Sequence, residues 1–258
     1  MNAATRMPAL AGCAASSRTC SWSRARNCGR QASSEAVVVA DHFPRRSWRQ
    51  LCVAGLSLGV TPFVRVPSLA PDCIARVLDG GALGVIAPHV QGADEAARVV
   101  RAAKYPPSGS RSFTAALPHL RFRSFPGAEA GAAIDAATMV VIMIESAVAL
   151  EAVDAIAAVD GVDMLFIGTN DLCAELGIPG QLDHPLIRQA YAACMRACEV
   201  NGKHLGIGGL NAHPALAAEF VELGARYVST GTDLSFLATG AASRARQMRE
   251  RFSAPPHT

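Results

Sequence analysis

From residue 35 onward, short runs of consecutive apolar residues alternate with longer segments whose apolar positions recur every three or four residues. The short runs are AVVVA (36–40), PFVRV (62–66), GVIAP (84–88), MVVIMIE (139–145), MLFIG (164–168), HLGIGG (204–209) and ARYVSTG (225–231). Runs of this length, rich in Val and Ile and bounded by Gly, Pro and Asp, predict seven strands. The intervening segments, among them PDCIARVLDGGA, ADEAARVVRAAK, SAVALEAVDAIAAV and HPALAAEFVELG, predict helices. The strands lack the alternation of a sheet with one wet face, which is what a parallel sheet covered on both faces requires.

Strand and helix in strict alternation predict an α/β fold. An open doubly wound sheet would carry a glycine-rich phosphate loop after an early strand, and the chain has neither G-x-G-x-x-G nor a P-loop. The length of 258 residues suits one closed barrel. The expected fold is a (β/α)8 TIM barrel over 35–258, with an atypical segment, 1–34, in place of the first βα unit. The connection YPPSGSRSFTAALPHLRFRSFPG (105–127) is too long for a simple link and is expected over the C-terminal ends of the strands, as part of the active site.

Charge changes the picture at the N-terminus. Residues 1–34 hold five of the 24 Lys and Arg and none of the 21 Asp and Glu, and show no sustained period. Arg- and Ser-rich, acid-poor composition fits an organelle transit peptide; the reading adopted is a disordered or mistranslated start. The remainder, with 19 basic and 21 acidic residues, is near neutral at −2, and no basic stripe interleaved with aromatics points to nucleic acid. No uncharged stretch exceeds the 15 residues of 204–218, too short to span a bilayer. Eight cysteines without a C-x-x-C pair read as reduced thiols in a cytoplasmic protein, and Cys194 and Cys198, one turn apart, as a helix face rather than a metal site.

In a barrel, polar residues at the C-terminal ends of strands are the catalytic candidates. These are Asp41 and His42, Arg65, Glu145 and Asp171. Glu145 directly follows six apolar residues, where an unpaired carboxylate is costly to bury, so it is expected to hold a cation. Glu145 and Asp171 come from consecutive strands and suit one hard, partly hydrated ion, Mg²⁺ or Mn²⁺, with Co²⁺ a further candidate. Each also has an ordinary reading: Glu145 as a helix N-terminal acid, Asp171 as an N-cap, Arg65 as a structural ion pair, His42 as a loop histidine. His89, at the end of GVIAP, fits either a substrate contact or a rim histidine with a structural hydrogen bond. Asp183 reads as the N-cap of a helix starting at Pro185, and Arg111, Arg121 and Arg123 as loop charges within reach of an anionic substrate tail.

The stretches PFVRVPS, LDGGALGVIAPHVQGADEAARVVRAAKYPPSGSRS, IMIES, GVDMLFIGTNDLCAELGIPGQLDHP and GARYVSTGTDL resemble the HpcH/HpaI aldolase/citrate lyase family, over about 36–250. Within it the chain is most similar to the metal-dependent pyruvate aldolases that act on 4-hydroxy-2-oxo acids, enzymes associated with aromatic-compound catabolism. The resemblance implies a (β/α)8 barrel and a homo-oligomer, hexameric in many relatives, formed by exchange of the last helix. It implies Glu145 and Asp171 as metal ligands, and Arg65 facing the C2 oxygen of pyruvate. It further implies backbone N–H groups around Gly168 and Asn170 receiving the pyruvate carboxylate, and His42 as catalytic acid and base.

The chemistry that follows is a reversible aldol cleavage to pyruvate and an aldehyde. Breaking a carbon–carbon bond β to a ketone leaves an enolate on the pyruvate fragment, which a divalent Lewis acid and Arg65 stabilise. A Schiff-base lysine is not needed, and the only lysines, Lys104 and Lys203, fall at no strand end. Two departures stand out. The family's histidine motif reads D-x-E-H, where this chain has Val39 and Asp41, and the first βα unit is not visible in 1–34; a frame error upstream of about residue 50 would account for both. Two rival readings are therefore kept, an acyl-CoA lyase of the malyl- or citryl-CoA type and a barrel disabled by its N-terminus.

Overall fold

The computed structural model describes residues 36–39, 45–114 and 116–252. The readings of 1–34, of Asp41 and of His42 fall outside them. Seven strands, β1 (Ala36–Val39), β2 (Thr61–Arg65), β3 (Gly84–Ala87), β4 (Met139–Ile144), β5 (Met164–Gly168), β6 (His204–Gly208) and β7 (Tyr227–Val228), form one parallel sheet in sequence order. Between and after them lie α1 (Arg45–Leu58), α2 (Pro71–Asp79), α3 (Ala93–Ala103), α4 (Gly127–Ala137), α5 (Ala147–Glu151), α6 (Val153–Ala157), α7 (Thr169–Glu175), α8 (Pro185–Asn201), α9 (Pro214–Glu222) and α10 (Asp233–Phe252). All seven predicted strands form, β7 shortened to two residues because only Gly206 and Ile207 of β6 pair with it.

Local chemistry sets the helix limits. In α3, Asp94 and Glu95 occupy the first turn and Arg101 the last, matching the helix dipole. Its buried residues Ala96, Val99, Val100 and Ala103 form one stripe against the sheet. Helix α8 begins at Pro185, which needs no N–H partner at that position, and stops at Gly202, whose φ of 65° admits the left-handed cap. His184, not Asp183, caps it: Nδ1 accepts the Leu186 N–H at 3.2 Å, while Asp183 pairs with Arg188 at the surface.

The strands bury both faces, in two different cores. In β4, Val140, Ile142 and Ile144 join the layer between sheet and helices, whereas Met139, Val141 and Met143 point to the other side with Phe63, Ile86 and Met164. Two apolar faces superimposed on a period of two give the unbroken apolar run seen in the sequence. The second face is concave. Phe63 of β2 and Tyr227 of β7 bring their ring centroids to 6.3 Å although four strands separate them in the sheet, and Phe166 of β5 meets Tyr227 edge-on at 5.8 Å. Glycines make room for these rings: a Cβ on Gly84 would fall 2.3 Å from the Phe63 ring, and one on Gly208 2.6 Å from that of Phe166.

The long connection does not cover the C-terminal ends. It leaves α3 and reaches β4 through α4, and its anchoring contacts lie at the rim where strands begin. There Arg111 donates to Asp79 at 2.7 and 3.2 Å, His119 Nε2 bonds the Ala82 carbonyl at 2.9 Å, and Lys104 Nζ donates to the carbonyls of Asp135 (2.8 Å) and Thr138 (2.6 Å), just before β4. Arg111 is a buried anchor under the loop and is not directed at a substrate tail. Helix α4 was not predicted, because GAEAGAAIDAA is nearly all small residues and carries almost no amphipathic signal. No helix among the described residues is long and apolar enough to cross a membrane.

Candidate active site

Register collects the strand ends. Arg65 pairs with Ile86, Ala87 with Ile142, Ile144 with Ile167, and Gly168 with Gly208, so whatever ends β2 to β6 shares one carboxyl rim. Arg65 is half-buried at the end of β2. Glu145 follows β4 and is 4% exposed. Ser146 behind it is the N-cap of α5, its Oγ accepting the Ala149 N–H at 3.1 Å, so the chain turns away and Glu145 stays at the rim instead of serving the helix.

The two carboxylate oxygens of Glu145 are treated differently. Oε1 accepts the backbone N–H of His89 at 2.7 Å, and the His89 ring nitrogen Nδ1 lies 2.8 Å from the same oxygen. Oε2 is buried and has no hydrogen-bond partner among the described residues. Gly168 borders it: a Cβ there would lie 3.1 Å from Oε2 and 3.0 Å from the Glu145 Cβ. The missing side chain therefore leaves space at the unpartnered oxygen. His89 has φ of 57°, the left-handed region uncommon for a residue with a Cβ.

After Gly168 the chain enters α7, anchored by Thr169. Its hydroxyl donates to the Gly208 carbonyl at 2.6 Å and accepts from the Tyr191 phenol at 2.8 Å. Burial pushes the Tyr191 phenol up, keeping it a donor, and its ring stacks on Phe220 at 3.8 Å. Asn170 and Asp171 are exposed in the first turn. Asp171 is thus inside the helix and not its N-cap; Gly168 holds that position. Gly209, with φ of 81°, gives Asn170 its room: a Cβ there would fall 2.8 Å from Asn170 Nδ2.

A buried carboxylate oxygen without a donor, space beside it, and a second carboxylate in the adjoining turn make a donor set suited to a hard divalent cation. Among the described residues no three His, Cys, Asp or Glu side chains gather as a closed cage. Two carboxylates leave coordination positions to substrate and water. Lys104 and Lys203 stay away: Lys203 directly precedes β6 and its Nζ reaches the Val159 carbonyl at 3.4 Å, on the opposite rim with Lys104. The sequence reading left the role of His89 open; the structure makes it the hydrogen-bond partner of Glu145, a link between positions 56 apart that only folding reveals.

A curled parallel sheet with helices between its strands, carrying an arginine, a half-satisfied glutamate and a helix start on its carboxyl rim, is an α/β enzyme scaffold. The profile of the HpcH/HpaI aldolase/citrate lyase family matches residues 51–239. A 4-hydroxy-4-methyl-2-oxoglutarate aldolase of Hapsidospora irregularis is 41% identical over 194 residues, 74% of this chain and 72% of that protein. A 4-hydroxy-2-oxovalerate aldolase of Rhodococcus jostii is 38% identical over 205 residues, 78% of each chain. The crystal structure of an HpcH/HpaI aldolase from Desulfitobacterium hafniense superposes with a TM-score of 0.76 at 29% identity, covering 87% of this chain and 86% of that one. This chain belongs to the HpcH/HpaI aldolase/citrate lyase family, and its chemistry is that of an aldolase, a carbon–carbon lyase.

Proposed function

We propose that this protein is a divalent-metal-dependent aldolase that cleaves 4-hydroxy-2-oxo acids to pyruvate and an aldehyde, and runs the addition in reverse. The observation that carries the reading is the buried Oε2 of Glu145 beside Gly168, without a hydrogen-bond partner among the described residues. Glu145 and Asp171 hold Mg²⁺ or Mn²⁺, or Co²⁺ in their place. The bound ion supplies Lewis-acid stabilisation of the negative charge that develops on the 2-oxo oxygen. Arg65 donates to that same oxygen, and the N–H groups at Gly168 and Asn170 receive the substrate carboxylate. In cleavage the C3–C4 bond breaks, its electron pair stays on the pyruvate fragment, and the C4 hydroxyl becomes the aldehyde carbonyl. His42 takes the hydroxyl proton, a proton from solvent at C3 then converts the enolate to pyruvate, and in the addition direction C3 loses that proton and His42 returns its own to the new C4 oxygen.

The aldolase domain spans 35–258, and closure of the curled sheet by an eighth strand is part of this proposal. Helix α10 has no buried residue and exposes Leu234, Phe236, Leu237 and Phe252, which supports a homo-oligomer that covers this helix with another copy. Free thiols at Cys52, Cys73, Cys173, Cys194 and Cys198 support a cytoplasmic setting.

The test is pyruvate release from 4-hydroxy-2-oxo acids by the purified chain with Mg²⁺ or Mn²⁺, then with EDTA. Release should stop with the chelator, and Asp171→Ala should lower kcat/KM by on the order of 10³-fold. Full activity in Asp171→Ala would sink the ligand assignment. A folded, metal-binding protein that releases no pyruvate would direct attention to an acyl-CoA lyase or to a barrel disabled at its N-terminus.

A further inference from the structure

We propose that His89 is a positioning residue for Glu145, holding one carboxylate oxygen so that the other alone is offered to the divalent ion, and so setting the affinity for that ion. The inference rests on the cation site proposed above and concerns a residue to which that reading gives no role. Three observations carry it.

Both contacts from His89 end on the same atom. The backbone N–H donates to Oε1 at 2.7 Å and the ring Nδ1 lies 2.8 Å from it, and a carboxylate so held neither rotates freely nor offers its oxygens as an equal pair. The remaining oxygen is Oε2, the one beside the gap at Gly168.

The backbone adopts an unfavourable conformation at this point. His89 keeps a φ of 57°, the left-handed region disfavoured for a residue with a Cβ, and in that conformation the N–H and the ring of one residue reach one oxygen.

Packing does not explain the ring position. The His89 side chain is 80% exposed, so its close approach to Glu145 is not imposed by a surrounding core. Histidines and carboxylates that orient a metal ligand from behind typically contribute about 10- to 100-fold to metal affinity.

Mn²⁺ binding to the full chain, followed by isothermal titration calorimetry, tests the proposal with His89→Gly and His89→Asn. Glycine keeps the left-handed backbone and its N–H and removes only the ring. Asparagine also tolerates that backbone and places an amide N–H near the position of Nδ1. His89→Gly should bind Mn²⁺ about 10- to 100-fold more weakly, and His89→Asn should return to within about threefold of the unaltered protein. The Mn²⁺ concentration giving half-maximal pyruvate release should move by the same factors. Unaltered affinity in His89→Gly, or an asparagine variant as weak as the glycine one, would overturn the positioning role. Glu145→Gln separates this from the site itself: if the unaltered protein binds Mn²⁺ and Glu145→Gln does not, the cation site stands whatever the His89 variants do. An unaltered protein that binds no Mn²⁺ removes both.

Discussion

An alanine at 168 would put its Cβ 3.0 Å from the Glu145 Cβ and 3.1 Å from Oε2, closer than side-chain contacts normally come. The backbone there has φ of −82°, which any residue adopts, so the substitution presses on Glu145 and not on the chain. Gly168→Ala should therefore cost about 1 kcal/mol of stability and about 100-fold in kcat/KM. Urea unfolding and pyruvate release, measured on the same preparation, check the split; full activity would mean that the space beside Oε2 is not used. The place of Glu145 at the end of β4 was legible in the sequence, because the acid directly follows six apolar residues. Its partner was not. His89 lies 56 positions away, and nothing in APHV shows that its N–H meets the acid at the end of the next strand.

The connection between α3 and β4 shows how an element can be recognised and yet assigned to the wrong end. Its length suggests an active-site cover, but the bonds of Lys104 to Thr138 and of His119 to Ala82 tie it to the rim where strands start. Arg111 is the anchor: its side chain is fully buried, paired with Asp79, with the guanidinium 4.6 Å above the Tyr105 ring. Arg111→Met leaves Asp79 without its partner and should lower the unfolding free energy by about 2–4 kcal/mol. Mn²⁺ affinity and KM should not change, since the site is at the other end of the strands; a raised KM would restore the connection to the substrate's surroundings. The seven strands were legible because both faces are apolar and the runs are unbroken. Helix α4 was hidden by its small residues, and the break between α5 and α6 at Ala152 left no mark in a continuous apolar period.

For the molecule as a whole, the strand-start rim governs part of the response to pH. Burial pushes the Asp163 carboxyl above its usual 3.8, partly offset by the Val140 N–H it accepts at 2.7 Å. A raised folded-state value means a contribution to stability that is complete below the unfolded value and fades as pH climbs through the folded one. Asp163→Asn keeps an acceptor for Val140 and removes the titration. The variant should therefore gain stability relative to the unaltered protein between about pH 3.5 and pH 7, as read by urea unfolding at both ends; a constant difference would mean that folding does not perturb this carboxyl. Burial likewise raises the Cys52 thiol to about 11 and that of Cys198 to about 12, which leaves both protonated and unreactive near neutrality.

The rings of Phe63, Phe166 and Tyr227, meeting inside the curl of the sheet, stand between the two rims. With substrate bound at the carboxyl rim as proposed, ligand traffic is one-ended: what enters there departs by the same mouth. For a cleavage that yields two fragments, the fragment nearer the opening departs before the deeper one. A one-ended site held that way predicts ordered release, with the deeper product competing with incoming substrate for the same vestibule.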